Sequence, residues 1–378
     1  MKTIVISAVN LRKGGTLSIL NDCLKTLATM SKEQQYRIVA LVHKKELAYH
    51  DGIEYVEIPW STRSWLHRLW CEYVTMYDIS KRIGNIYLWL SLHDTTPRVE
   101  AKHIAVYCHN PFPFFSWKWQ HLFLNYKIVC FALFSRWIYR INIHKNDYVI
   151  VQQDWLRNSF VKMFDLDSHR LIVAPPSANH LSIEEQQTFD GIYRFIYPAY
   201  PDVHKNMECL CKATQLLEKE VGKGRFEVLL TVDKDYNAYS HWLFKKWGHV
   251  ASLKFCGFMS KSRLYEFYAA SDCLVFPSKV ETWGLPISEF AVTHRPMLLS
   301  DLPYAHETAQ QSKQTAFFPP DAPAVLMQLM KKCLEGDTAF LNEIDRKEIA
   351  CPYARDWNQL LNLLIKNENT AIGEVLPA

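Results

Sequence analysis

Long hydrophobic runs are missing from this chain of 378 residues. No stretch reaches the roughly eighteen apolar residues of a membrane-spanning helix, which excludes that class of protein. The apolar run in MKTIVISAVN is too short for a signal-peptide core and ends in a polar loop, so we expect a first β-strand there. The cysteines show no repeated spacing, and only Cys209 and Cys211 lie close together, which disfavours a zinc site and indicates a reduced, cytoplasmic chain.

Apolar residues are abundant instead, at 49% against 22% charged residues, so the chain can form a large core. Its length suggests two or three domains. Residues 1–180 carry a net charge of +8 and the remainder −4. The segment 60–145 combines 11 basic and 4 acidic residues with seven tryptophans.

Basic residues interleaved with aromatic ones suit an interface with anionic lipid headgroups. They also suit single-stranded nucleic acid, and burial of the tryptophans in the core is a third interpretation. We expect a peripheral contact with an anionic membrane and no nucleic-acid partner.

Short apolar runs alternate with longer helical patterns, which predicts βαβ units and parallel sheets buried on both faces. Seven candidate strands in the first half are Thr3–Val9, Arg37–Val42, Glu54–Ile58, Ile86–Leu92, His103–Tyr107, Tyr148–Val151 and Arg170–Ala174. Six in the second half are Arg194–Pro198, Phe226–Val232, Leu253–Phe255, Cys273–Phe276, Met297–Ser300 and Thr315–Phe318. The fold class is therefore α/β, with two Rossmann-like domains expected to face each other across a cleft.

A stretch with two prolines and many polar residues marks the boundary between the domains. We place the first domain at residues 1–175, the linker at 176–190 and the second domain at 191–354. The amphipathic stretch Ala354–Ile365 opens a C-terminal segment, about 355–378, that we assign to the first domain.

The segment CLVFPSKVETWGLPISEFAV carries the strongest chemical signal. A buried strand leads into a loop, and Pro286 is suited to the start of the following helix. The backbone N–H groups of Trp283, Gly284 and Leu285 are then expected to form an anion site for a diphosphate. A carboxylate flanks it on each side, Glu281 before the helix and Glu289 inside it. Each carboxylate could accept paired hydrogen bonds from a diol, which matches a nucleotide diphosphate sugar.

The pattern P-S-x-x-E-x-W-G-L-P-x-x-E resembles the E-x7-E signature of glycosyltransferase family 4, retaining enzymes of the GT-B fold. The resemblance implies that Glu281 contacts the donor sugar and Glu289 the ribose. It also implies that Lys205, in His204-Lys205-Asn206, holds the diphosphate, where an ammonium can offset the charge of the leaving group. Many members of the family have an arginine five residues earlier, and this chain has Tyr200 there.

The first half offers two further candidate groups after predicted strands. Gly14 and Gly15 allow close backbone approach to a phosphate or a sugar, but the pattern is not G-x-G-x-x-G, which disfavours a dinucleotide cofactor. His109, with Asn110 beside it, corresponds to a histidine that many family members hold near the reacting sugar. His93 and Asp94 follow another strand and are candidates for the acceptor side.

Asp233-x-Asp235 resembles the metal-binding D-x-D of a different glycosyltransferase fold, but it follows a strand of the second domain. We interpret it as a solvated loop and expect neither an essential metal ion nor another cofactor. Phe258 lies where the family binds the nucleotide base.

These features predict a cytoplasmic, retaining glycosyltransferase that uses a UDP-, GDP- or dTDP-sugar. The acceptor is expected to be a glycan, in a lipid-linked oligosaccharide at the inner face of the cytoplasmic membrane, as in surface polysaccharide assembly. The main alternative is a non-catalytic nucleotide-sugar-binding subunit or scaffold. A phosphorylase is disfavoured because the sequence has no recognisable pyridoxal-bearing lysine motif.

Overall fold

The computed structural model describes residues 1–34, 36–176 and 190–365. Within these ranges the chain divides into two units. Unit 1 comprises residues 1–110, 136–176 and 349–365, and unit 2 comprises residues 111–135 and 190–348. Most of the linker expected at 176–190 and the chain beyond residue 365 lie outside the described residues.

Unit 1 is organised around a parallel sheet of seven strands in the order β3-β2-β1-β4-β5-β6-β7. Its strands are β1 (Thr3–Ala8), β2 (Arg37–Val42), β3 (Ile53–Glu57), β4 (Ile86–Ser91), β5 (His103–Cys108), β6 (Tyr148–Val151) and β7 (Leu171–Val173). Every residue of β1 and β4 is buried, because helices cover both faces of such a sheet. Strands that are buried on both faces need apolar residues at successive positions, which explains the continuous apolar runs in the sequence.

The helices of unit 1 follow its strands in the expected alternation. They are α1 (Gly14–Gln34), α2 (Trp65–Trp70), α3 (Met76–Ile83), the end of α4 (Trp119–Arg140), α5 (Asp154–Phe164) and α12 (Trp357–Ile365). A π-helical turn, Cys71–Thr75, joins α2 to α3. Helix α12, which the sequence analysis assigns to the first domain, packs into the core beneath α1, where Trp357 stacks on Tyr107 with ring centroids 5.6 Å apart.

Unit 2 contains a second parallel sheet, of six strands in the order β10-β9-β8-β11-β12-β13. Its strands are β8 (Tyr193–Tyr197), β9 (Phe226–Leu230), β10 (Leu253–Phe255), β11 (Cys273–Phe276), β12 (Met297–Ser300) and β13 (Thr315–Phe318). Its helices, apart from the first part of α4, are α6 (Met207–Val221), α7 (Ala238–Trp247), α8 (Lys261–Ala269), α9 (Leu285–Ala291), α10 (Pro303–Thr308) and α11 (Pro323–Leu334). The two Rossmann-like sheets confirm the predicted α/β class.

The segment 111–135 groups with unit 2, although the sequence analysis placed it in the first domain. Side-chain contacts account for the difference. The Lys118 ammonium lies 3.0 Å from the Asp321 carboxylate, and the Asn125 amide donates to Asp202 over 3.3 Å. Among the described residues, none of the helices combines the length and the apolar character that crossing a bilayer requires.

Candidate active site

The carboxyl edge of the unit 2 sheet carries the central ion pair of the candidate site. Lys205 follows β8 and Glu281 follows β11, and these two strands are neighbours. Lys205 Nζ lies 2.5 Å from Glu281 Oε1, and the Ser278 hydroxyl donates to the same oxygen over 2.6 Å. Both charged side chains remain partly open to solvent, at 18% and 12% exposure. The pair is therefore held in place yet accessible to a ligand.

The backbone around Lys205 is fixed by buried polar contacts. Tyr197, in β8, donates its hydroxyl to the Lys205 carbonyl over 2.8 Å. The amide of Asn206 donates to the carbonyls of Pro277 and Pro320 over 2.9 and 2.7 Å. Asn206 itself has a left-handed backbone with φ of 55°, a conformation that asparagine tolerates better than most residues. This turn directs the Lys205 side chain to Glu281, and the Asn206 amide connects the loops that contain Pro277 and Pro320.

Glu289 lies in α9, one turn into the helix that Leu285 begins. It accepts a hydrogen bond from the Tyr268 hydroxyl over 3.2 Å and lies 3.9 Å from the Lys261 ammonium. Burial, with the Glu289 carboxylate adding to it, raises the pKa of Tyr268 well above its usual value, so this hydroxyl stays a donor. Glu289 is thus positioned by one neutral and one cationic side chain.

The loop before α9 turns sharply at Gly284, whose φ of +85° is in the region that favours glycine. Trp283 is anchored at both ends of the residue: its indole N–H donates to Ser288 over 3.2 Å, and its carbonyl accepts from the Thr308 hydroxyl. Leu285 is half-buried at the helix start. The structure places these three predicted donor-side residues between Glu281 and Glu289 along the chain.

Three exposed aromatic rings stand at the ends of β8, β9 and β10, on the same edge of the sheet as Lys205. Tyr200, Tyr236 and Phe258 are 42%, 41% and 40% exposed. Phe258 lies 4.9 Å, between ring centroids, from each tyrosine. The sequence analysis singled out Phe258 but did not identify the two tyrosines as partners, although each stands in a loop directly after a predicted strand.

The D-x-D segment has a structural contact in this loop. The Asp233 carboxylate accepts the backbone N–H of Phe258 over 3.0 Å, and both Asp233 and Asp235 are exposed. Within the described ranges, no group of three or more His, Cys, Asp or Glu side chains is arranged to hold a metal ion. The Asp233 carboxylate therefore accepts a hydrogen bond from the backbone and so fixes the loop that contains Phe258.

Unit 1 brings His109 together with Asp94. The backbone N–H of His109 donates to Asp94 Oδ1 over 2.7 Å, and the ring Nε2 lies 3.6 Å from Asp94 Oδ2. Asp94 adopts a left-handed backbone with φ of 72°, and both side chains are nearly buried. Asn110 follows at the end of β5 and is half-buried, whereas Gly14 and Gly15 are exposed at the start of α1.

His93 does not fit the acceptor role that the sequence analysis gave it. Its ring is fully buried, with Nε2 3.0 Å from the Ser7 hydroxyl and Nδ1 3.0 Å from that of Thr95. Glu72 accepts from Thr95 over 2.7 Å and from Arg68 over 2.6 Å. Burial lowers the pKa of His93 to about 4, even though the Glu72 carboxylate opposes that shift. His93 is therefore a neutral member of a closed polar cluster and is not available to an acceptor.

Comparison with protein families identifies the region that holds the donor-side residues. The family description Glycosyl transferases group 1 matches residues 194–336. We call this matched region the group 1 domain. The domain contains Lys205, Glu281 and Glu289 as well as the three exposed aromatic rings, whereas His109 lies outside it.

Over part of its length the chain is similar to an O-antigen mannosyltransferase. The chain is 21% identical over 240 residues to the O-antigen chain mannosyltransferase RfbU of Salmonella typhimurium strain LT2. That match covers 62% of this chain and 63% of RfbU, so it spans less than two thirds of the relative.

Solved structures with the same fold extend beyond the group 1 domain. The lipopolysaccharide outer core galactosyltransferase WaaB is 13% identical, with a TM-score of 0.59 over 98% of each chain. Anabaena HepE, solved in complex with UDP and glucose, is 14% identical, with a TM-score of 0.62 over 90% of this chain and 92% of HepE. These likenesses confirm the predicted GT-B fold.

Proposed function

We propose that the protein is a retaining glycosyltransferase, which moves a hexose from a nucleotide diphosphate sugar to a hydroxyl of a glycan acceptor. The observation that carries the proposal is the accessible Lys205–Glu281 pair at the carboxyl edge of the group 1 domain, with Glu289 one helix turn into α9. Ligands of parallel α/β sheets bind at this edge of the sheet. The similarity to an O-antigen mannosyltransferase supports the reaction class.

The side chains at this edge suit the three parts of a UDP-, GDP- or dTDP-sugar. The rings of Tyr200, Tyr236 and Phe258 offer an exposed aromatic surface for the base. Glu289 would accept the ribose hydroxyls, with Lys205 beside the diphosphate and Glu281 beside the sugar. Tyr200 stands where relatives of family 4 often have an arginine, so Lys205 would supply the main positive charge.

The chemistry proposed for these residues is stabilisation of charge. Breaking the bond between the sugar and the diphosphate leaves negative charge on the diphosphate and positive character on the sugar. The Lys205 ammonium offsets the first charge, and the Glu281 carboxylate offsets the second. The leaving diphosphate takes the acceptor proton, so no side chain has to be the general base and no essential metal ion is required.

Nucleotide release from a panel of UDP-, GDP- and dTDP-sugars tests the proposal, with and without EDTA. We expect slow release from one donor, unaffected by EDTA and lost in Glu281→Ala. Glu343→Ala is the matched control, because Glu343 is also ion-paired but is exposed and remote in sequence. A donor that protects the protein thermally without being hydrolysed, even with acceptor present, would instead favour the non-catalytic scaffold.

The acceptor we propose is a lipid-linked oligosaccharide at the inner face of the cytoplasmic membrane. Helix α4 supports this part of the proposal. Beyond its kink at Asn125 it exposes a stripe of apolar side chains at spacings of three and four residues, namely Tyr126, Cys130, Leu133, Phe134, Trp137 and, just past its end, Ile141. The helix contains no Asp or Glu, and Lys127, Arg136 and Arg140 are exposed. An apolar stripe beside exposed positive charge suits an anionic lipid surface.

Co-sedimentation with vesicles tests this contact. We expect binding to vesicles that contain phosphatidylglycerol, weak binding to pure phosphatidylcholine, and loss of binding in Trp137→Glu. The control is Trp65→Glu, at a tryptophan on α2 that is 55% exposed, against 67% for Trp137. Equal binding of wild type and Trp137→Glu to anionic vesicles would rule out α4 as the contact.

A further inference from the structure

A cavity lies within unit 2, beside the proposed donor-side residues and separate from them. Its volume is about 380 Å³. It is lined by one face of α6, by α7, by the start of α11 and by residues just before and within α4. Lys205 turns its side chain to Glu281, whereas the next residue, Asn206, lines this cavity. The cavity is within the size range of small-molecule sites, about 300–1,000 Å³.

The cavity is positively charged. Four lysines line it, against one aspartate and one glutamate. Asp321 pairs with two of the lysines, because its carboxylate lies 3.0 Å from the Lys118 ammonium and 2.8 Å from that of Lys279. In the part of the chain that the structure describes, no carboxylate lies within 4.0 Å of Lys212 or Lys246. The ammonium groups of Lys212 and Lys246 can therefore bind an anionic ligand.

The remaining acid is held by a neighbouring side chain. Glu208 accepts a hydrogen bond from the Tyr239 hydroxyl, and burial raises the pKa of Glu208. Tyr239 in turn stacks on Trp242, with ring centroids 5.8 Å apart. This chain of contacts fixes the floor of the cavity and holds Trp242 in its wall.

The wall combines a fixed aromatic ring with hydrogen-bonding groups. The Lys246 ammonium lies over the rings of Trp242 and Trp247, 4.9 and 4.5 Å from their centroids, which positions it by cation–π attraction. The amides of Gln120 and Gln215 also line the cavity. The amides suit the hydroxyls of a sugar ring, and the lysines suit an acidic substituent.

We propose that this cavity binds an acidic saccharide, a sugar ring bearing a carboxylate or a phosphate, with Lys212 and Lys246 holding the anionic group. The anionic character follows from the charge of the cavity alone. The choice of a saccharide rests on the proposed function, because a glycan-elongating enzyme meets such residues in its acceptor or product. The cavity would then hold part of the glycan away from the reacting bond.

The test compares two double variants by isothermal titration calorimetry. Lys212→Ala/Lys246→Ala removes the two cavity lysines. Lys219→Ala/Lys245→Ala is the matched control, since these exposed lysines lie on the same two helices but do not line the cavity. The probes are a glucuronate-containing tetrasaccharide, its neutral glucose counterpart, glucose 1-phosphate and inorganic phosphate.

We expect wild type and control to bind the acidic tetrasaccharide at least tenfold more tightly than the neutral one, and the cavity variant to lose at least tenfold in affinity. Tighter binding of glucose 1-phosphate than of the tetrasaccharide would assign the site to a free sugar phosphate, within the same chemistry. Equal binding by the two double variants would overturn the proposal, and so would inorganic phosphate binding as tightly as either sugar. Donor hydrolysis, measured in parallel, tests the proposed function separately, because its absence would leave these binding results unchanged.

Discussion

Each unit contains a carboxylate paired with a basic side chain near its parallel sheet, and the two pairs differ in their contact with water. The difference lies in the carboxylates, because Glu281 in unit 2 is 12% exposed and Glu72 in unit 1 only 1%, whereas their basic partners Lys205 and Arg68 are each 18% exposed. Glu72 also accepts from Thr95, whose hydroxyl contacts His93. The comparison teaches that a cluster of charged groups is a ligand site only where its partners can be exchanged. The buried cluster has the chemistry of a site but the contacts of a core.

The largest effect is expected at the buried pair. Burial alone would raise the pKa of Glu72, but the Arg68 charge, followed by His93 and the Thr95 hydrogen bond, holds it below its usual value. Glu72→Ala leaves the Arg68 guanidinium, which is 18% exposed, without its buried counter-charge and the buried Thr95 hydroxyl without this acceptor, so the free energy of unfolding should fall by about 3 kcal/mol. Glu281→Ala should lower it by about 1 kcal/mol or less. Urea unfolding measures both, and equal midpoints would contradict the comparison.

At the exposed pair the large effect should be on catalysis. Lys205→Ala removes the charge that we propose offsets the leaving diphosphate, so donor hydrolysis should fall by about 100- to 1,000-fold. The unfolding midpoint should barely move, because water can reach Glu281 once the lysine is gone. Lys279→Ala is the control, since Lys279 is also ion-paired and lies in the loop after β11 that carries Glu281. A comparable loss in both variants would mean that Lys205 acts only on loop structure.

Acid should weaken the buried cluster through His93. Its pKa in the folded state is about 4, below the ordinary 6.5, so the unfolded chain takes up the proton first as the pH falls. This histidine therefore contributes a loss of stability that begins near pH 6.5 and is complete below pH 4, at most about 3 kcal/mol. His93→Asn should flatten the decline in stability over that range, as measured by urea unfolding at several pH values.

The decline should not vanish in that variant. Burial, together with the Lys279 and Lys118 charges, also lowers the pKa of His121 in unit 2 to about 4. His144→Asn, at an exposed position, is the control and should retain the full decline. A slope in His93→Asn equal to that of the control would show that His93 is protonated as easily when folded as when unfolded.

The smallest effect concerns the backbone that carries the exposed pair. An alanine in place of Gly284 would keep the unfavourable positive φ, and its Cβ would lie 3.2 Å from Ile287 Cδ1. Gly284→Ala should therefore cost about 1–2 kcal/mol in unfolding free energy. Gly224→Ala is the matched control, because Gly224 has a φ of +82° and open space around it. A smaller loss at Gly284 than at Gly224 would show that the loop before α9 yields readily.

The strands could be predicted from the sequence because their signal is local. Six of thirteen, including β2, β6 and β11, begin and end where the apolar runs do, and the others shift by only one or two residues. Continuous apolar runs arise wherever helices cover both faces of a strand, so the pattern is written into each segment separately.

The failures share the opposite property, because they depend on contacts between distant segments. Residues 111–135 join unit 2 through ion pairs such as Lys118 with Asp321. The hydrophobic periodicity of the sequence does not predict such pairs. His93 follows a strand just as His109 does, but only the folded cluster shows that its ring is enclosed. The tyrosines near Phe258 converge because β8, β9 and β10 are neighbours, and that strand order is not encoded in any single segment.

The side chain of Asn206 connects two loops of unit 2. One amide group binds a carbonyl in the loop after β11 and another just before α11, so these two loops are linked mechanically. The first loop leads to Glu281 and the second contains Asp321, the counter-ion of the lysines in the cavity. Because one amide donates to both loops, the proposed donor site and the proposed saccharide cavity share a single structural support.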